Sequence, residues 1–298
     1  SNWAVSSPII VDNNLYCYAG KQLLKINKET GDIIASAEMA GNSSFGINPP
    51  CYGGGMIFVG LAGGAVQAFN AETLESLWVF KDTLGGQPNC TIQYSDGYIY
   101  TGFWNSETKD ANFVCVSATD EDPDNPTETK YATWTYAVQG GFYWAGAYVT
   151  DKYAIVGSDD GESDSTSDSS YVYCFDKLTG EVVQKVGPHH GDIRSDISYY
   201  DGRIYFTSKG GYLYSYNLKE DGTIDTENLI EPIEIGKMST STPAIANGRC
   251  YVGSSYGSNF SGTYGISVVD INEETGAMSL EYVVYTDAYP QTSGVVST

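Results

Sequence analysis

The sequence predicts an all-β fold, a β-propeller of four-stranded antiparallel blades. Three observations predict it. A strand–turn–strand phrase recurs six times. Its copies are spaced by 41 to 55 residues (Asn14 to Gly55, Gly97 to Lys152), the period of a propeller blade. The chain is also rich in Tyr (25) and Gly (34) with only 17% charged residues, which suits many short strands joined by tight turns.

The first two strands of each unit carry the phrase, a short apolar run, a two-residue polar turn and a second run closing on Gly or Thr. It reads Pro-Ile-Ile-Val-Asp-Asn-Asn-Leu-Tyr-Cys-Tyr-Ala-Gly over 8–20 and Gly-Gly-Met-Ile-Phe-Val-Gly over 54–60. It recurs at 96–102, 151–157, 201–207 and 247–253, where Asp96-Gly97 and Asn247-Gly248 supply hairpin turns. The third strand of a unit ends in Asn or Asp and a turn closed by Thr-Gly, as in Leu-Leu-Lys-Ile-Asn-Lys-Glu-Thr-Gly (23–31) and Val-Val-Asp-Ile-Asn-Glu-Glu-Thr-Gly (268–276). The Asx side chain caps its own turn and the Gly supplies a positive φ, so a fourth strand follows. The expected organisation is a single domain over 1–298, with repeats at about 6–46, 47–86, 87–138, 139–190, 191–238 and 239–288. Residues 291–298, Gln-Thr-Ser-Gly-Val-Val-Ser-Thr, read as the first strand of a seventh blade. They are either a staple on a six-blade ring or a trace of a longer one.

These phrases resemble the quinoprotein-like propellers with pyrroloquinoline quinone (PQQ)-type repeats, whose unit runs Pro-x5-Gly-x-Val-Tyr-x-Gly and ends Thr-Gly-x3-Trp. The resemblance spans about Ser6 to Tyr285. The blade-docking Trp of that pattern is matched at Trp78 and Trp134, while Ala35, Gln184 and Leu280 stand in its place elsewhere. The repeat is shared by dehydrogenases, an outer-membrane assembly lipoprotein and surface proteins. For quinone-dependent dehydrogenation the resemblance implies a vicinal Cys pair, a Trp floor, a Ca²⁺ site and an Asp base. Cys17, Cys51, Cys90, Cys115, Cys174 and Cys250 include no adjacent pair and no CxxC. The chain is therefore expected to resemble the non-catalytic, assembly-lipoprotein type, with no PQQ, and its cysteines to be ordinary core residues.

Charge narrows the partners. Fifteen Lys+Arg against 37 Asp+Glu give −22, which repels phosphate backbones and excludes nucleic acid. No stretch reaches the roughly 18 apolar residues of a spanning helix, so membrane insertion is not expected. The acidic, Tyr-rich composition suits a secreted or cell-surface, extracytoplasmic bacterial protein, and the unfinished last repeat is compatible with a place in a larger multidomain chain.

Parity sorts the loops of a four-strand meander. A–B and C–D turns share one end and are short here, with Asp120 to Pro126 a hydrated hairpin extension among them. B–C and D–A loops share the other end and hold all the unusual sequence, so a site is expected there. They include Phe103-Trp104-Asn105, the acidic Asp159-Asp-Gly-Glu-Ser-Asp164 with its Ser/Thr-rich continuation, Gly140-Gly-Phe-Tyr-Trp144, and His189-His-Gly-Asp-Ile-Arg194. Trp104, Phe142, Tyr143 and Trp144 offer rings that stack on sugars or anchor peptide side chains, or else pack between blades. His189, His190, Asp192 and Arg194 offer acid–base or metal chemistry, though neighbours on an extended chain point opposite ways. Asp159, Asp160, Glu162 and Asp164 are oxygen-rich Ca²⁺ candidates without the spacing of the twelve-residue calcium loop.

The expected function is a non-enzymatic binding or scaffold module that holds a protein, peptide or glycan on the B–C/D–A face. The alternative is an enzyme, a degenerate quinoprotein or a hydrolase or lyase, centred on His189, His190, Asp192 and Arg194. Convergence of His190, Asp192, Arg194 and Tyr143 in a deep pocket would favour the enzyme.

Overall fold

A computed structural model describes residues 5–43, 48–164, 166–257 and 262–295. The parts of the Gly41–Pro50, Ser158–Ser170 and Ser254–Gly262 loops that fall on 44–47, 165 and 258–261 lie outside the described residues, as do 296–298. Among the described residues there is no helix, and none long and apolar enough to cross a membrane.

Six sheets, each built on a four-stranded antiparallel meander, form the blades of a β-propeller. Blade 1 is Ile9–Val11, Asn14–Ala19, Gln22–Asn27 and Ile33–Glu38 (β1–β4). Blade 2 is Cys51–Gly53, Met56–Leu61, Ala65–Asn70 and Ser76–Lys81 (β5–β8). Blade 3 is Gln93–Ser95, Tyr98–Gly102 and Asp110–Ser117 (β9–β11), completed after the short Glu128–Lys130 (β12) by Ala132–Gln139 (β13). Blade 4 is Tyr148–Val149, Tyr153–Gly157, Ser170–Asp176 and Val182–His189 (β14–β17). Blade 5 is Ser198–Tyr200, Arg203–Thr207, Tyr212–Asn217 and Ile233–Glu234 (β18–β21). Blade 6 is Ala244–Ala246, Arg249–Ser255, Tyr264–Ile271 and Met278–Thr286 (β22–β25).

Local chemistry sets these elements. Asp12, Asp96, Asp201 and Asn247 open their A–B turns in the left-handed region (φ 53°, 49°, 47° and 51°), a conformation Asx side chains tolerate. Asn13, not Asn14, therefore takes the place that Gly97, Gly202 and Gly248 hold in the later turns. In the C–D turns Asn27, Asn70 and Asn272 Oδ1 each accept backbone N–H bonds from the two and three residues beyond.

Two departures from the sequence reading are visible. The Asp120–Pro126 excursion returns as β12, which pairs parallel with β8 (Glu128↔Trp78, Lys130↔Phe80) and gives blade 2 a fifth, outermost strand. The strand expected over 291–298 is not formed at 291–295. That segment is held instead by side-chain bonds such as Ser241 Oγ–H to the Thr292 carbonyl (3.0 Å).

The residues group into two compact units, Ser1–Ser106 with Asp110–Phe142 and Leu178–Gly180, and Glu107–Lys109 with Tyr143–Lys177 and Glu181–Thr298. In the first unit the core lies between blades 1 and 2 (Tyr16, Ile57, Phe69, Leu74) and between blades 2 and 3 (Phe58, Trp78, Phe80, Ile99). In the second it lies between blades 4 and 5 (Ile155, Cys174, Ile193, Phe206) and between blades 5 and 6 (Tyr205, Leu213, Cys250, Val269). All six cysteines are free thiols, five of them buried.

Within each unit a blade also grips the next through the following C–D region. Tyr16 Oη–H bonds the Ala71 carbonyl (2.7 Å), and Trp78 Nε1–H the Ala118 carbonyl (3.2 Å). Gln184, standing where the repeat has Trp, bonds both the Ile224 N–H and carbonyl (2.7 and 2.9 Å). Arg203 Nη2 reaches the Glu274 carbonyl (3.3 Å).

Candidate functional site

In the second unit, the connection from β17 to β18 is registered by Ile193. Its side chain fills the space that the missing Cβ of Gly157 leaves, where a Cβ would lie 2.2 Å from Ile193 Cγ2. With Ile193 committed to the blade 4–5 core, Asp192 and Arg194 are both turned into the loop end and buried.

Arg194, only 5% exposed, is the centre of an ion cluster. Nε and Nη2 donate to the two oxygens of Asp159 (3.1 and 2.6 Å), a bidentate pair. Nη2 also donates to Glu107 Oε2 (2.6 Å) and lies 2.9 Å from Asp192 Oδ2, an ion contact without hydrogen-bond alignment. Asp192 Oδ1 accepts the Asp160 N–H (2.9 Å), and Lys209 Nζ stands 3.9 Å from Oδ2. Asp159, Lys209 and Glu107 come from the β15–β16, β19–β20 and β10–β11 connections; Arg194 holds Asp159 and Glu107 directly, and Lys209 meets the cluster through Asp192.

Three carboxylates face two cations, and Asp159 and Asp192 have no exposed side-chain surface. Burial raises the proton affinity of both acids. Arg194 counters this at Asp159, while at Asp192 the neighbouring Asp159 charge adds to it. Burial lowers that of Lys209, with Arg194 acting in the same sense. The two aspartates therefore titrate as a pair that retains a proton well above the ordinary carboxylate range.

The cluster carries an aromatic stack. The Arg194 guanidinium lies 4.7 Å from the Tyr143 ring centroid, and Tyr143 stacks on Trp144 at 4.5 Å and 19°. Trp144 is held at φ +53°, in the left-handed region that bulky residues avoid, and its indole Nε1 is buried without a hydrogen-bond partner among the described residues.

The other expected site residues lie elsewhere. His189 is a core residue. Its Nε2 meets Tyr216 Oη (2.9 Å), its ring edges meet Phe206 and Tyr214, and burial lowers its proton affinity to about 4, so it is neutral. Alternation along the strand sends His190 outward to pair with exposed Asp168 (2.6 Å). Phe142 belongs to the first unit and is fully buried beside Phe113, its ring filling the space at Gly102. Trp104, also in the first unit, is pinned through its backbone, which exchanges hydrogen bonds with Gln87. The Ca²⁺ candidates disperse. Asp160 caps Glu162 N–H and Ser167, Asp164 caps Thr166, Glu162 joins no carboxylate group among the described residues, and Asp159 is taken by Arg194. The carboxylates that do converge are Glu107, Asp159 and Asp192, with oxygens within 4.8 Å of one another and the Arg194 guanidinium among them. Sequence reasoning missed Glu107 and Lys209, which are single charges in ordinary loops and gain meaning only from the fold.

Comparison with known proteins bears on the fold. The family model described as outer membrane protein assembly factor BamB matches residues 2–107 and 127–293. The chain belongs to the BamB family. No curated protein matches it. Among solved structures, BamB from Moraxella catarrhalis superposes with a TM-score of 0.64 at 15% identity, covering 96% of this chain and 76% of that one. A chain of a structure described as the mitotic checkpoint complex superposes with a TM-score of 0.65 at 8% identity, over 94% and 77%. The stretch that the BamB family model leaves unmatched, 108–126, includes β11 and most of the chain leading to β12.

Proposed function

We propose that this chain is a non-enzymatic scaffold propeller working outside the cytoplasm, and that it holds a protein or peptide on the loops around Tyr143 and Trp144. The observation that carries this reading is the use made of Arg194. The buried Arg194 guanidinium gives Nε and Nη2 to the carboxylates of Asp159 and Glu107 and its face to the Tyr143 ring. A group so engaged positions the loops and the aromatic stack around it. The family's description as an assembly factor, and a second neighbour taken from a multiprotein complex, support a protein partner; a glycan on the same rings is the variant reading.

Catalysis by the residues first considered is disfavoured by the same geometry. His189 is neutral and enclosed, and His190 is paired with Asp168 rather than with Asp192 or Arg194. The test is a peptide and glycan array read with the intact protein, Trp144→Ala and His190→Ala. Trp144→Ala is expected to lose at least about tenfold in affinity for the array hits, in line with an aromatic anchor of about 1.4 kcal/mol or more, and His190→Ala to change little. Binding unchanged in Trp144→Ala would remove the proposal.

A further inference from the structure

Arg203 is a second buried guanidinium of the second unit, and its charge is balanced differently from that of Arg194. Its side chain is only 9% exposed. Nε donates to Asn217 Oδ1 (3.0 Å) and Nη2 to the Glu274 carbonyl (3.3 Å), both neutral acceptors. Among the described residues its ion partner is Asp201, whose carboxylate is 57% exposed and stands 3.6 Å from Nη1 without hydrogen-bond alignment. Arg194 by contrast meets three carboxylates, two of them with no exposed side-chain surface. A buried cation whose counter-charge is solvated keeps positive charge uncompensated in the interior, which is costly.

Two hydroxyls stand with Nη1. Strand alternation puts Arg203 and Tyr205 of β19 on one face, with Asn217 and Ser215 of β20 as their cross-strand partners. Tyr205 and Ser215 are buried, and Tyr205 Oη, Ser215 Oγ and Arg203 Nη1 are buried polar atoms without a hydrogen-bond partner among the described residues. Burial raises the proton affinity of the Tyr205 phenol, and Ser215 and Arg203 both oppose it, so the two stand close to that hydroxyl. The C–D turn of blade 6 closes over the group, where a Cβ on Gly276 would lie 2.7 Å from Arg203 Nε. Blade 1 meets the same demand with protein atoms. There Tyr16 gives its hydroxyl to the Ala71 carbonyl (2.7 Å), and Lys25, its cross-strand partner, gives Nζ to the Glu72 carbonyl (2.9 Å). In blade 5 the carbonyl matching that of Glu72 is taken by Arg203, and neither hydroxyl has such a partner.

We propose that Arg203, Tyr205 and Ser215 form a buried site between blades 5 and 6 for a small monovalent anion of the halide class. Nη1 can only donate, and both hydroxyls can turn to donate, so the three groups suit an acceptor that carries no proton of its own. The negative charge of such an ion offsets the guanidinium, which a neutral water molecule does not. The ion joins blades 5 and 6 where the Tyr16 phenol joins blades 1 and 2. It is a structural ligand, and folding is linked to its concentration.

Urea melts at fixed ionic strength, with chloride exchanged for gluconate, test this. The folding equilibrium constant of the wild type is expected to rise about tenfold for each tenfold rise in chloride above its dissociation constant. Tyr205→Phe and Ser215→Ala each remove one hydroxyl and are expected to flatten that rise. Arg249→Gln, which alters the arginine at the matching position of blade 6, is expected to keep it. Bromide-soaked crystals of the wild type are expected to show an anomalous peak within hydrogen-bond distance of Arg203 Nη1 and both hydroxyls. A wild type indifferent to chloride overturns the proposal, and so does a chloride dependence that survives both hydroxyl variants. A site that holds water and shows no bromide peak overturns it as well.

Discussion

Arg194 shows how one side chain settles a loop face. Its removal leaves Asp159 buried without its guanidinium and Asp192 with Lys209 alone, and breaking a buried pair from one side costs roughly 3–5 kcal/mol. Arg194→Met is therefore expected to lower the unfolding free energy, read from denaturant melts, by that amount and to loosen Tyr143. The pH dependence has a definite sign. Burial raises the folded-state proton affinity of the Asp159–Asp192 pair, so its stabilising contribution is complete below the ordinary carboxylate range and is lost as pH rises through the raised values. His189 acts oppositely. Burial lowers its affinity from 6.5 to about 4, so its contribution is complete above 6.5 and is lost as pH falls towards 4. Above the histidine range the slope belongs to the aspartates. Thermal melts there should fall with pH in the wild type and flatten in Asp192→Asn; an unchanged slope in Asp192→Asn would contradict the shared proton. The sequence singled out Asp192, Arg194, Tyr143 and Trp144, because charge and aromatic residues in a long loop are visible as such. It offered Asp159 as a calcium ligand, because the guanidinium that occupies its oxygens lies 35 residues further on.

The blade was legible at the level of its elements because period-two apolar runs and Asx–Thr-Gly turns are local signals. The way blades grip one another was only partly so. Gln184 looked like a lost docking Trp, yet its amide bonds both backbone groups of Ile224 and does for blade 4 what the Trp78 indole does for blade 2. Leu280, at the same repeat position in blade 6, is exposed. The glycines of the C–D turns carry a measurable version of the difference. Gly31 and Gly276 share a positive φ (78° and 77°), so replacing either with Ala costs about 1–2 kcal/mol for the left-handed backbone alone. Gly276→Ala also drives a methyl into Arg203 and Ile230, so its unfolding free energy should drop further than that of Gly31→Ala. Equal losses would mean that the turn of blade 6 is not clamped in solution.

Over the whole molecule, −22 is a long-range property that no single contact expresses. It favours encounter with a basic partner and makes that encounter sensitive to salt. A Lys-rich peptide is expected to associate faster than its Glu-rich counterpart and to slow steeply as ionic strength rises; rates indifferent to salt would argue against electrostatic capture. The thiols give the same molecule an internal set of clocks. Buried Cys17, Cys115, Cys174 and Cys250 sit in the strands of four different blades, and none is tied in a disulfide. The time each takes to react with a thiol reagent in mild denaturant therefore reports when its own blade parts from its neighbour. The order of those times would trace the path by which the propeller comes apart.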